Sequence, residues 1–583
     1  MNENSIVKGN YEIAKEEADR VDNEIIGVLR EGKSFRVEAG AGSGKTYSLI
    51  KTIEWIQSNK QKEYKKSKKH VICITYTNAA VDVIKERLVP DSFIIPSTIH
   101  SFAWNAIKQF QHVLLDIIEK DDNFKNKEGD FEKAEKVNYT LGHRYKELGV
   151  QYLHHNDVLN LFVKLLENKK FRRIFSDKYP LILIDEYQDT YKPIIDEFIK
   201  YFIAGNMGPQ FGFFGDAWQT IYQSNNACGL VEHENIIPIK KGSNFRSAPK
   251  IVDLLNKLRP DLPQVSAIDG FDGEVTVITC EDYVGERRKD RGFKDDLPVP
   301  ELKNRLDDIR KSIRDKYPSK ENLKSLMITH KVLAAHQGYG QLLDILNNGL
   351  RDKEDIFLLF FMNTVEPIYE ALVDSNMELL FDTLKLNRFP ITKKADKAQW
   401  KVLEQALCEA REQKSIDVLK TVINSKLIPV PPNIETYYKY YTSVPELMYD
   451  NITIKEFLDI DYNQFLSAIN FLYPESEFST EHGVKGEEYD NVVFVISKGW
   501  YQYQFDIYAP MISGTAPIPR GKEAAFERNR NLFYVCCSRP KKRLFIFVTI
   551  PVNGAFESFL TDLVGEENIL TYSEFVNKNK NEQ

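Results

Sequence analysis

Short runs of apolar, mostly β-branched residues recur along the N-terminal half of the chain, separated by amphipathic stretches. The runs lie at 71–77 (VICITYT) and 180–186 (PLILIDE), and 34–38 (SFRVE) is a further short strand candidate. Continuous apolar runs of this length are typical of parallel strands that are buried on both faces. Residues 12–30 have the pattern of a charged amphipathic helix, and a further helical stretch follows residue 46. This alternation of strands and helices predicts a doubly wound α/β lobe.

A second group of strand-like runs lies further along the chain, at 273–279, 325–330, 491–497 and 543–549. A largely helical block at about 345–475 separates the second run from the third. These patterns predict two α/β lobes with helical insertions. The predicted division is a first lobe at 1–101 and 151–240, a helical insertion at 102–150, a second lobe at 241–345 and 476–555, a helical accessory domain at 346–475, and a C-terminal tail at 556–583.

Composition and charge limit the class of protein. A chain of 583 residues is too long for one core, and its apolar fraction of 42% is that of a globular protein. A net charge of −7 argues mildly against purely electrostatic DNA binding, although a local basic groove remains possible on an acidic protein. The cysteines lack metal-ligand spacing, and we found neither a signal-peptide core nor an apolar run as long as a bilayer. We expect a cytoplasmic protein with reduced thiols.

A glycine-rich segment directly follows the first predicted strand and precedes a helix. In this context, backbone N–H groups of the loop and of the helix N-terminus bind phosphates. The Lys45 ammonium is expected to bridge the β- and γ-phosphates of ATP, and the Thr46 hydroxyl to bind Mg²⁺. The nucleotide-binding segment comprises Ala39, Gly40, Ala41, Gly42, Ser43, Gly44, Lys45 and Thr46, with Ala39 where the strict pattern has glycine.

Two adjacent carboxylates, Asp185 and Glu186, follow another predicted strand. An isolated Asp-Glu pair after a strand is more often a helix cap than a catalytic pair. A phosphate loop on a matching strand favours catalysis instead. Asp185 is then the second candidate ligand of Mg²⁺, and Glu186 is the candidate base that activates the attacking water.

The segments AGAGSGKT and DEYQDT together resemble those of the UvrD/Rep/PcrA-like superfamily 1 DNA helicases. Further segments resemble other blocks of that family in the same order, between residues 39 and 544: TYTNAA at 75–80, STIHSF at 97–102, FGDAWQTIY at 214–222, NFRS at 244–247, TEHGVKGEEYD at 480–490 and LFYVCCSRPKKRL at 532–544. The resemblance implies an α/β fold with two RecA-like P-loop lobes and helical insertion domains. It also implies ATP and Mg²⁺ as cofactors and single-stranded or 3′-tailed DNA as the partner.

The resemblance assigns further residues to the ATP site. Gln219 is implied to sense the γ-phosphate. Arg246 and Arg539 are implied to reach the γ-phosphate from the second lobe as arginine fingers. Phe245 takes the place of the aromatic residue that stacks on adenine, and Glu488 that of a glutamate near the ribose. The alternative for each arginine is an ordinary surface salt bridge.

The resemblance also implies a set of DNA contacts. Tyr76 and Tyr222 offer flat faces on which bases can stack, although core packing of either ring stays open as an alternative. Hydrogen bonds to phosphates position a strand without discriminating its sequence. The implied phosphate contacts are Thr77, Asn78, His100, Ser101, Thr480 and His482.

Departures from the family pattern concern adenine and base contacts. No glutamine precedes Gln57, so the family's adenine-recognising glutamine upstream of the phosphate loop is missing. The family's Tyr-x-Trp-Arg-Gly is replaced by the sequence YQSNN at 222–226, which removes one stacking residue. The residues that contact phosphates are retained. This pattern suggests an active ATPase with altered coupling or altered substrate.

Two functions follow from these observations. The first is an ATP-dependent 3′–5′ DNA helicase or translocase acting on single-stranded DNA. Some relatives of this size act with a separately encoded nuclease, so the resemblance leaves open a role beside such a nuclease in DNA repair or anti-phage defence. The alternative is an ATP- and DNA-responsive regulatory subunit that activates a partner enzyme without processive unwinding.

Overall fold

The structure is a computed structural model, and it describes most of the chain between residues 8 and 581. The gaps within this range are 76, 90–91, 122–123, 125–133, 140–143, 222–225, 328–332, 335–336, 347–354, 385–392, 444–447, 450–451, 473–475, 481–485, 500–501 and 515.

The described part of residues 1–241 contains two sheets. The first is a six-stranded parallel sheet in the order β3-β2-β7-β8-β1-β9, and the second is a three-stranded sheet in the order β4-β6-β5. The strands are β1 (Ser34–Ala39), β2 (Val71–Thr75), β3 (Ile94–Thr98), β4 (Lys136–Tyr139), β5 (Tyr145–Glu147), β6 (Val150–Leu153), β7 (Leu181–Asp185), β8 (Gln210–Gly215) and β9 (Ile236–Lys241).

Helices cover both faces of the six-stranded sheet. They are α1 (Asn10–Arg30), α2 (Lys45–Ser67), α3 (Asn78–Lys85), α4 (Ile99–Ile107), α5 (Gln111–Lys120), α6 (His155–Leu166), α7 (Lys169–Lys178) and α8 (Lys192–Phe198). Apolar side chains of α1 and α2 pack on one face of the sheet, and those of α4 and α6 pack on the other. We call this doubly wound unit the first lobe. The strands predicted at 34–38, 71–77 and 180–186 correspond to β1, β2 and β7.

The predicted all-helical insertion at 102–150 is wrong in its second half. Its N-terminal part is helical, but β4, β5 and the start of β6 follow. These strands have only three or four residues each, too few to produce a clear alternating pattern. Val137 and Leu153 are their buried apolar side chains in the described part.

The C-terminal half contains a second six-stranded parallel sheet among its described residues, in the order β16-β13-β17-β18-β12-β19. Two short strands, β10 and β11, pair beside the crossover from the first lobe. The strands that follow β9 are β10 (Ser243–Asn244), β11 (Val265–Ser266), β12 (Glu274–Thr279), β13 (Leu323–Met327), β14 (Met448–Tyr449), β15 (Ile452–Thr453), β16 (Phe478–Thr480), β17 (Tyr489–Ile496), β18 (Pro540–Val548) and β19 (Ile569–Thr571).

This second sheet is also covered on both faces, and with its helices it forms the second lobe. The helices that follow α8 are α9 (Pro249–Leu258), α10 (Val299–Lys316), α11 (Gly340–Leu346), α12 (Ile356–Phe360), α13 (Glu366–Val373), α14 (Met377–Leu384), α15 (Lys394–Arg411), α16 (Ser415–Ser425), α17 (Pro432–Ser443), α18 (Ile454–Leu458), α19 (Tyr462–Leu472), α20 (Phe505–Ile512), α21 (Glu523–Cys537), α22 (Gly554–Val564) and α23 (Tyr572–Asn581).

Two predicted limits of the second lobe are corrected. Lys241 is the last residue of β9 and belongs to the first sheet. The segment 556–583 is not a separate tail in its described part, because β19 pairs with β12 and Phe575 of α23 is buried in the second core. A strand of three residues gives no periodicity, which is why the sequence pattern did not reveal it.

Helices α11 to α19 form an accessory unit with its own apolar core. One stretch in it, 356–373, is long and apolar enough to cross a membrane by length and composition alone, and half of it is buried. Phe357, Phe361 and Ile368 of this stretch are fully or almost fully buried in the accessory core. A buried core helix passes the same test.

Candidate active site between the lobes

The phosphate loop connects β1 to α2 at the carboxyl end of the first sheet. Gly42 and Gly44 have φ angles of +74° and +76°, which glycine adopts without the steric cost of a side chain. Gly44 is the N-cap of α2, and Lys45 is the first helical residue. The unpaired N–H groups of the first turn and the helix dipole make this terminus suited to an anion. The geometry is therefore that of a phosphate-binding loop.

Lys45 and the two carboxylates after β7 lie together. The Nζ atom of Lys45 is 2.7 Å from Oε1 of Glu186. Burial alone would lower the pKa of Lys45, but the Glu186 and Asp185 carboxylates outweigh it and the pKa is raised. Glu186 has a left-handed φ of +49°, and its other oxygen accepts a 2.6 Å hydrogen bond from Gln188. A charged ammonium thus faces both candidate catalytic carboxylates.

The second lobe contacts the phosphate loop directly. The Phe245 N–H donates to the Gly42 carbonyl at 2.8 Å, and the Asn244 side-chain amide donates to the Ala41 carbonyl at 3.0 Å. A Cβ added to Gly42 would lie 2.7 Å from Cβ of Arg246, so a larger residue does not fit there. The loop and the NFRS segment therefore form one continuous surface.

The two predicted arginine fingers both lie at this junction. Arg246 donates from Nε to Glu488 at 3.0 Å and from Nη1 to the Ser538 carbonyl at 3.1 Å. Arg539 is 1% exposed, and its Nη2 lies 3.3 Å from Oε1 of Gln219. Burial and the nearby Arg246 charge lower the pKa of Arg539. A phosphate anion placed between these guanidinium groups would relieve their mutual repulsion.

Gln219 connects the two lobes through its side chain. Its Nε2 donates to Oδ2 of Asp216 at 2.8 Å, while its Oε1 accepts from Arg539 of the second lobe. It ends the 3₁₀ turn Ala217–Gln219 that follows β8. The Gln219 side chain therefore joins the turn after β8 to the buried arginine of the second lobe.

The predicted Mg²⁺ ligands lie on the two elements that a nucleotide would join. Thr46 is in the exposed first turn of α2, and Asp185 ends β7. Within the described ranges, no group of three or more His, Cys, Asp or Glu side chains could hold a metal ion. A threonine hydroxyl and an aspartate carboxylate are oxygen donors of the kind that Mg²⁺ takes, one or two from the protein with phosphates and water completing its shell.

The predicted base site contains Phe245 and a residue that sequence analysis missed. The Phe245 ring is 39% exposed and lies beside Gly44, where an added Cβ would be 3.6 Å from the ring. Tyr47, one residue after Thr46, is 58% exposed. Its Cβ would lie 3.9 Å from the same Cβ added to Gly44. The sequence feature that could have identified Tyr47 is its position directly after the GKT segment of the phosphate loop. Two exposed rings thus flank the start of α2.

Other residues considered for nucleotide contacts are engaged with protein groups. Glu488 lies 2.6 Å from Lys541 as well as beside Arg246, and these two cations lower its pKa against the opposing effect of burial. Asn10, at the start of α1, is an alternative to the missing adenine-recognising glutamine, and it donates from its side chain to the Ile268 carbonyl at 3.3 Å. The ribose contact of Glu488 remains a prediction.

The predicted DNA contacts are only partly covered by the described residues. Thr77 caps α3 by accepting from the Ala80 N–H at 3.2 Å, and Asn78 is the first residue of that helix. Ser101 is exposed on α4. Tyr76, Tyr222 and His482 lie outside the described residues, as does the side chain of Thr480.

His100 is packed against a second histidine rather than fully open to solvent. Its ring stacks on that of His155 with the centroids 3.3 Å apart. Burial and the His155 ring lower the pKa of His100 to about 4, so the imidazole is neutral at physiological pH. Both rings line a cavity of about 500 Å³ that extends to Asp185 and Glu186. The predicted DNA face and the catalytic carboxylates therefore border one cavity.

A buried ion bridge between the lobes also escaped sequence analysis. Arg259, at the C-cap of α9, donates to Asp216 at 2.5 Å and to Glu38 at 2.7 Å. Glu38 also accepts a hydrogen bond from the Tyr187 hydroxyl at 2.6 Å. The available signal was a glutamate in a strand-like run, directly before the phosphate loop.

The chain is similar to several known proteins. A family model described as an AAA domain matches residues 22–225, which include the phosphate loop and both catalytic carboxylates. The chain is 24% identical to the Gabija protein GajB of Bacillus cereus strain HuB5-5, over 95% of this chain and 98% of that protein. It is 26% identical to a probable DNA helicase II homolog of Mycoplasma capricolum, over 40% of each chain. It is also 26% identical to the ATP-dependent DNA helicase Rep of Buchnera aphidicola subsp. Baizongia pistaciae, over 38% of this chain and 40% of that one.

Proposed function

Since the chain belongs to the UvrD-like superfamily 1 helicases, we propose that it is an ATP-driven 3′–5′ helicase or translocase on single-stranded DNA. The observation that carries this proposal is the composite site. Lys45 of the phosphate loop pairs with Glu186 in the first lobe, Gly42 of the same loop packs against Arg246 of the second lobe, and Gln219 contacts Arg539. A site completed by two lobes can couple nucleotide turnover to movement of one lobe against the other.

Within this proposal, each lobe has a separate role in hydrolysis. The loop amides and Lys45 bind the phosphates of ATP, and Glu186 accepts a proton from the attacking water. Arg246 and Arg539 stabilise the charge that develops on the γ-phosphoryl oxygens. Thr46 and Asp185 would hold the Mg²⁺ that accompanies the nucleotide and neutralises phosphate charge. When the γ-phosphate leaves, the two arginines lose their anionic partner, and closure of the lobes is weakened.

The proposed DNA contacts lie at the same edge of the first sheet. Thr77 and Asn78 follow β2, while His100 and Ser101 follow β3. Carboxyl ends of parallel strands are the usual position of ligand sites in such sheets. A neutral His100 can hydrogen-bond a phosphate without titrating at physiological pH. The polarity rests on family resemblance, and sequence-independent binding rests on the type of contact.

Strand displacement tests the proposal most directly. We expect ATP-dependent unwinding of a fluorophore-labelled duplex with a 3′ single-stranded tail, and none with a 5′ tail or blunt ends. The Glu186→Gln variant is the matched control, since the amide keeps the shape of the side chain but cannot accept the proton. Unwinding from the 5′ tail would contradict the polarity.

A regulatory role is the second candidate. The YQSNN sequence at 222–226, in place of the family's stacking residues, favours it. It predicts ATPase activity that responds to DNA, no unwinding of any tailed duplex, and activation of a partner enzyme. The relationship to a Gabija protein supports extending our proposal to a cytoplasmic role beside a separately encoded nuclease, in DNA repair or anti-phage defence. Copurification of the tagged chain with the products of neighbouring genes tests this extension.

A further inference from the structure

Arg259 is a charged residue of the second lobe that lies almost entirely buried against the first. It follows α9, whose apolar side chains Ile251, Leu254 and Leu255 pack in the second-lobe core. Yet its guanidinium contacts Glu38 at the end of β1 and Asp216 after β8. The relative exposures of Arg259 and Asp216 are 2% and 0%, so water screens this bridge very little.

The carboxylates of the bridge also fix the turn that holds Gln219. Glu38 accepts from the Ala217 N–H at 3.0 Å, and Asp216 accepts from the Trp218 N–H at 3.0 Å. The second oxygen of Asp216 accepts from the Gln219 side-chain amide at 2.8 Å. Arg259 thus neutralises both carboxylates that orient the turn.

Side chains of the second lobe surround this turn. Two guanidinium groups lie near the indole of Trp218, that of Arg530 at 4.1 Å and that of Arg259 at 5.1 Å from the ring centroid. The Asn531 amide donates to the Thr220 carbonyl at 3.2 Å. Tyr534 packs edge-on against Trp218 with the centroids 5.6 Å apart. The turn therefore belongs to the first lobe by sequence and is held by the second.

From this geometry we propose that Arg259 is a positioning residue, which acts through Asp216 to hold the Gln219 amide at the γ-phosphate position. Withdrawal of Arg259 would leave the buried Asp216 without its paired cation and Glu38 with the longer 3.6 Å pair to Arg36, so separation of the lobes at this edge is strongly opposed. The bridge lies near the crossover from β9 to β10, where the chain passes between lobes. The bridge is then the fixed edge about which the lobes move. This inference rests on the proposed ATPase function.

Steady-state kinetics separate this role from simple structural support. We expect Arg259→Met to lower kcat about tenfold to a hundredfold with less than a threefold change in KM for ATP, because the phosphate loop is untouched. Arg259→Lys should recover part of the loss, since an ammonium can still neutralise one carboxylate. Arg305→Met is the matched control. Arg305 is likewise a buried second-lobe arginine, but it pairs with Asp282 at 2.9 Å within its own lobe.

A double-mutant cycle tests whether Arg259 acts through Gln219. In a Gln219→Leu background, Arg259→Met should cause less than a twofold further loss of kcat. Independent effects would multiply instead, and multiplication would overturn the proposal. An unchanged kcat in Arg259→Met, or an equal loss in Arg305→Met, would overturn it as well.

Hydrogen–deuterium exchange gives a readout that does not depend on turnover. In Arg259→Met and Arg259→Lys, the peptide covering 214–221 should exchange faster than in the wild type, while peptides from the β17–β18 core should not change. If Arg259→Met fails to fold, the exchange of peptide 214–221 is compared between Arg259→Lys and the wild type instead. A wild-type chain without ATPase activity would contradict the proposed function. The exchange rate of peptide 214–221 would still show whether Arg259 holds the turn. Unchanged exchange of this peptide would overturn the inference alone.

Discussion

The two lobes have the same strand topology but different chemistry. Numbering the six strands of each sheet in chain order, β3-β2-β7-β8-β1-β9 and β16-β13-β17-β18-β12-β19 both become 3-2-4-5-1-6, all parallel. The fold is therefore duplicated, although the sequence has no detectable internal repeat. Topology depends on the placement of apolar strands and helices, which many sequences satisfy.

The difference lies at the edges that meet between the lobes. In the first lobe, β1 leads into the glycine loop and β7 ends in Asp185. The corresponding strands of the second lobe, β12 and β17, end in Thr279 and Ile496. The second lobe instead presents the starts of its strands, where Glu488 precedes β17 and Arg539 precedes β18. One lobe thus supplies the loop and carboxylates, and the other supplies the arginines.

The largest effect is expected at the phosphate loop. Lys45→Met should lower ATP turnover about a thousandfold, because it removes the cation that meets the phosphates. Lys60→Met, on the same helix but paired with Glu63 on the surface, should leave turnover unchanged. Phosphate release measures both variants, and circular dichroism checks folding. Retained ATP turnover in Lys45→Met would contradict the assignment of phosphate binding to the loop of the first lobe.

Glu186→Gln separates binding from chemistry within the first lobe. We expect Mg·ATP binding to persist and hydrolysis to fall about a hundredfold, because an amide cannot accept the water's proton. Fluorescent-nucleotide titration and single-turnover hydrolysis measure the two quantities. Loss of nucleotide binding would mean that Glu186 is structural.

We expect the site to discriminate weakly between nucleotide bases, whereas the residues that contact phosphates are retained. With no upstream glutamine and two exposed rings beside Gly44, stacking should dominate over hydrogen bonding to the base edge. GTP or dATP should then support turnover within about tenfold of ATP, about 1.4 kcal/mol or less. Steady-state kinetics with the four ribonucleotides and dATP measure this. A hundredfold preference for ATP over GTP would show that a residue not identified in the site recognises adenine.

The smallest expected effect concerns the stacked histidines of the first lobe. The folded-state pKa of His100, about 4, lies below its ordinary value of 6.5, so between these pH values the unfolded chain binds more protons than the folded one. Acid therefore removes stability across this window. Between pH 7 and pH 5, the melting temperature of His100→Asn should fall about 2 °C less than that of the wild type. His112→Asn, on the exposed side of α5, should behave like the wild type, and equal slopes for all three proteins would contradict the account.

The sequence predicted strongly patterned elements better than short or composite ones. The runs at 71–77 and 180–186 are apolar enough to identify strands, and the glycine loop has a local pattern that depends on no distant residue. The strands at 136–153 and 569–571 are too short to show periodicity. The Glu38–Arg259 bridge joins residues far apart in the chain, and only the meeting of the lobes reveals it.

The division of chemistry between the lobes is tested most directly by comparing nucleotide binding with single-turnover hydrolysis in Arg246→Lys and Arg539→Lys. Lysine keeps the positive charge but loses the planar fork of donors that matches phosphate oxygens. Our account predicts affinity for a fluorescent ATP analogue within about threefold of the wild type, and hydrolysis slowed about a hundredfold or more in each variant. Hydrolysis within threefold of the wild type in both variants would contradict a site completed by the second lobe.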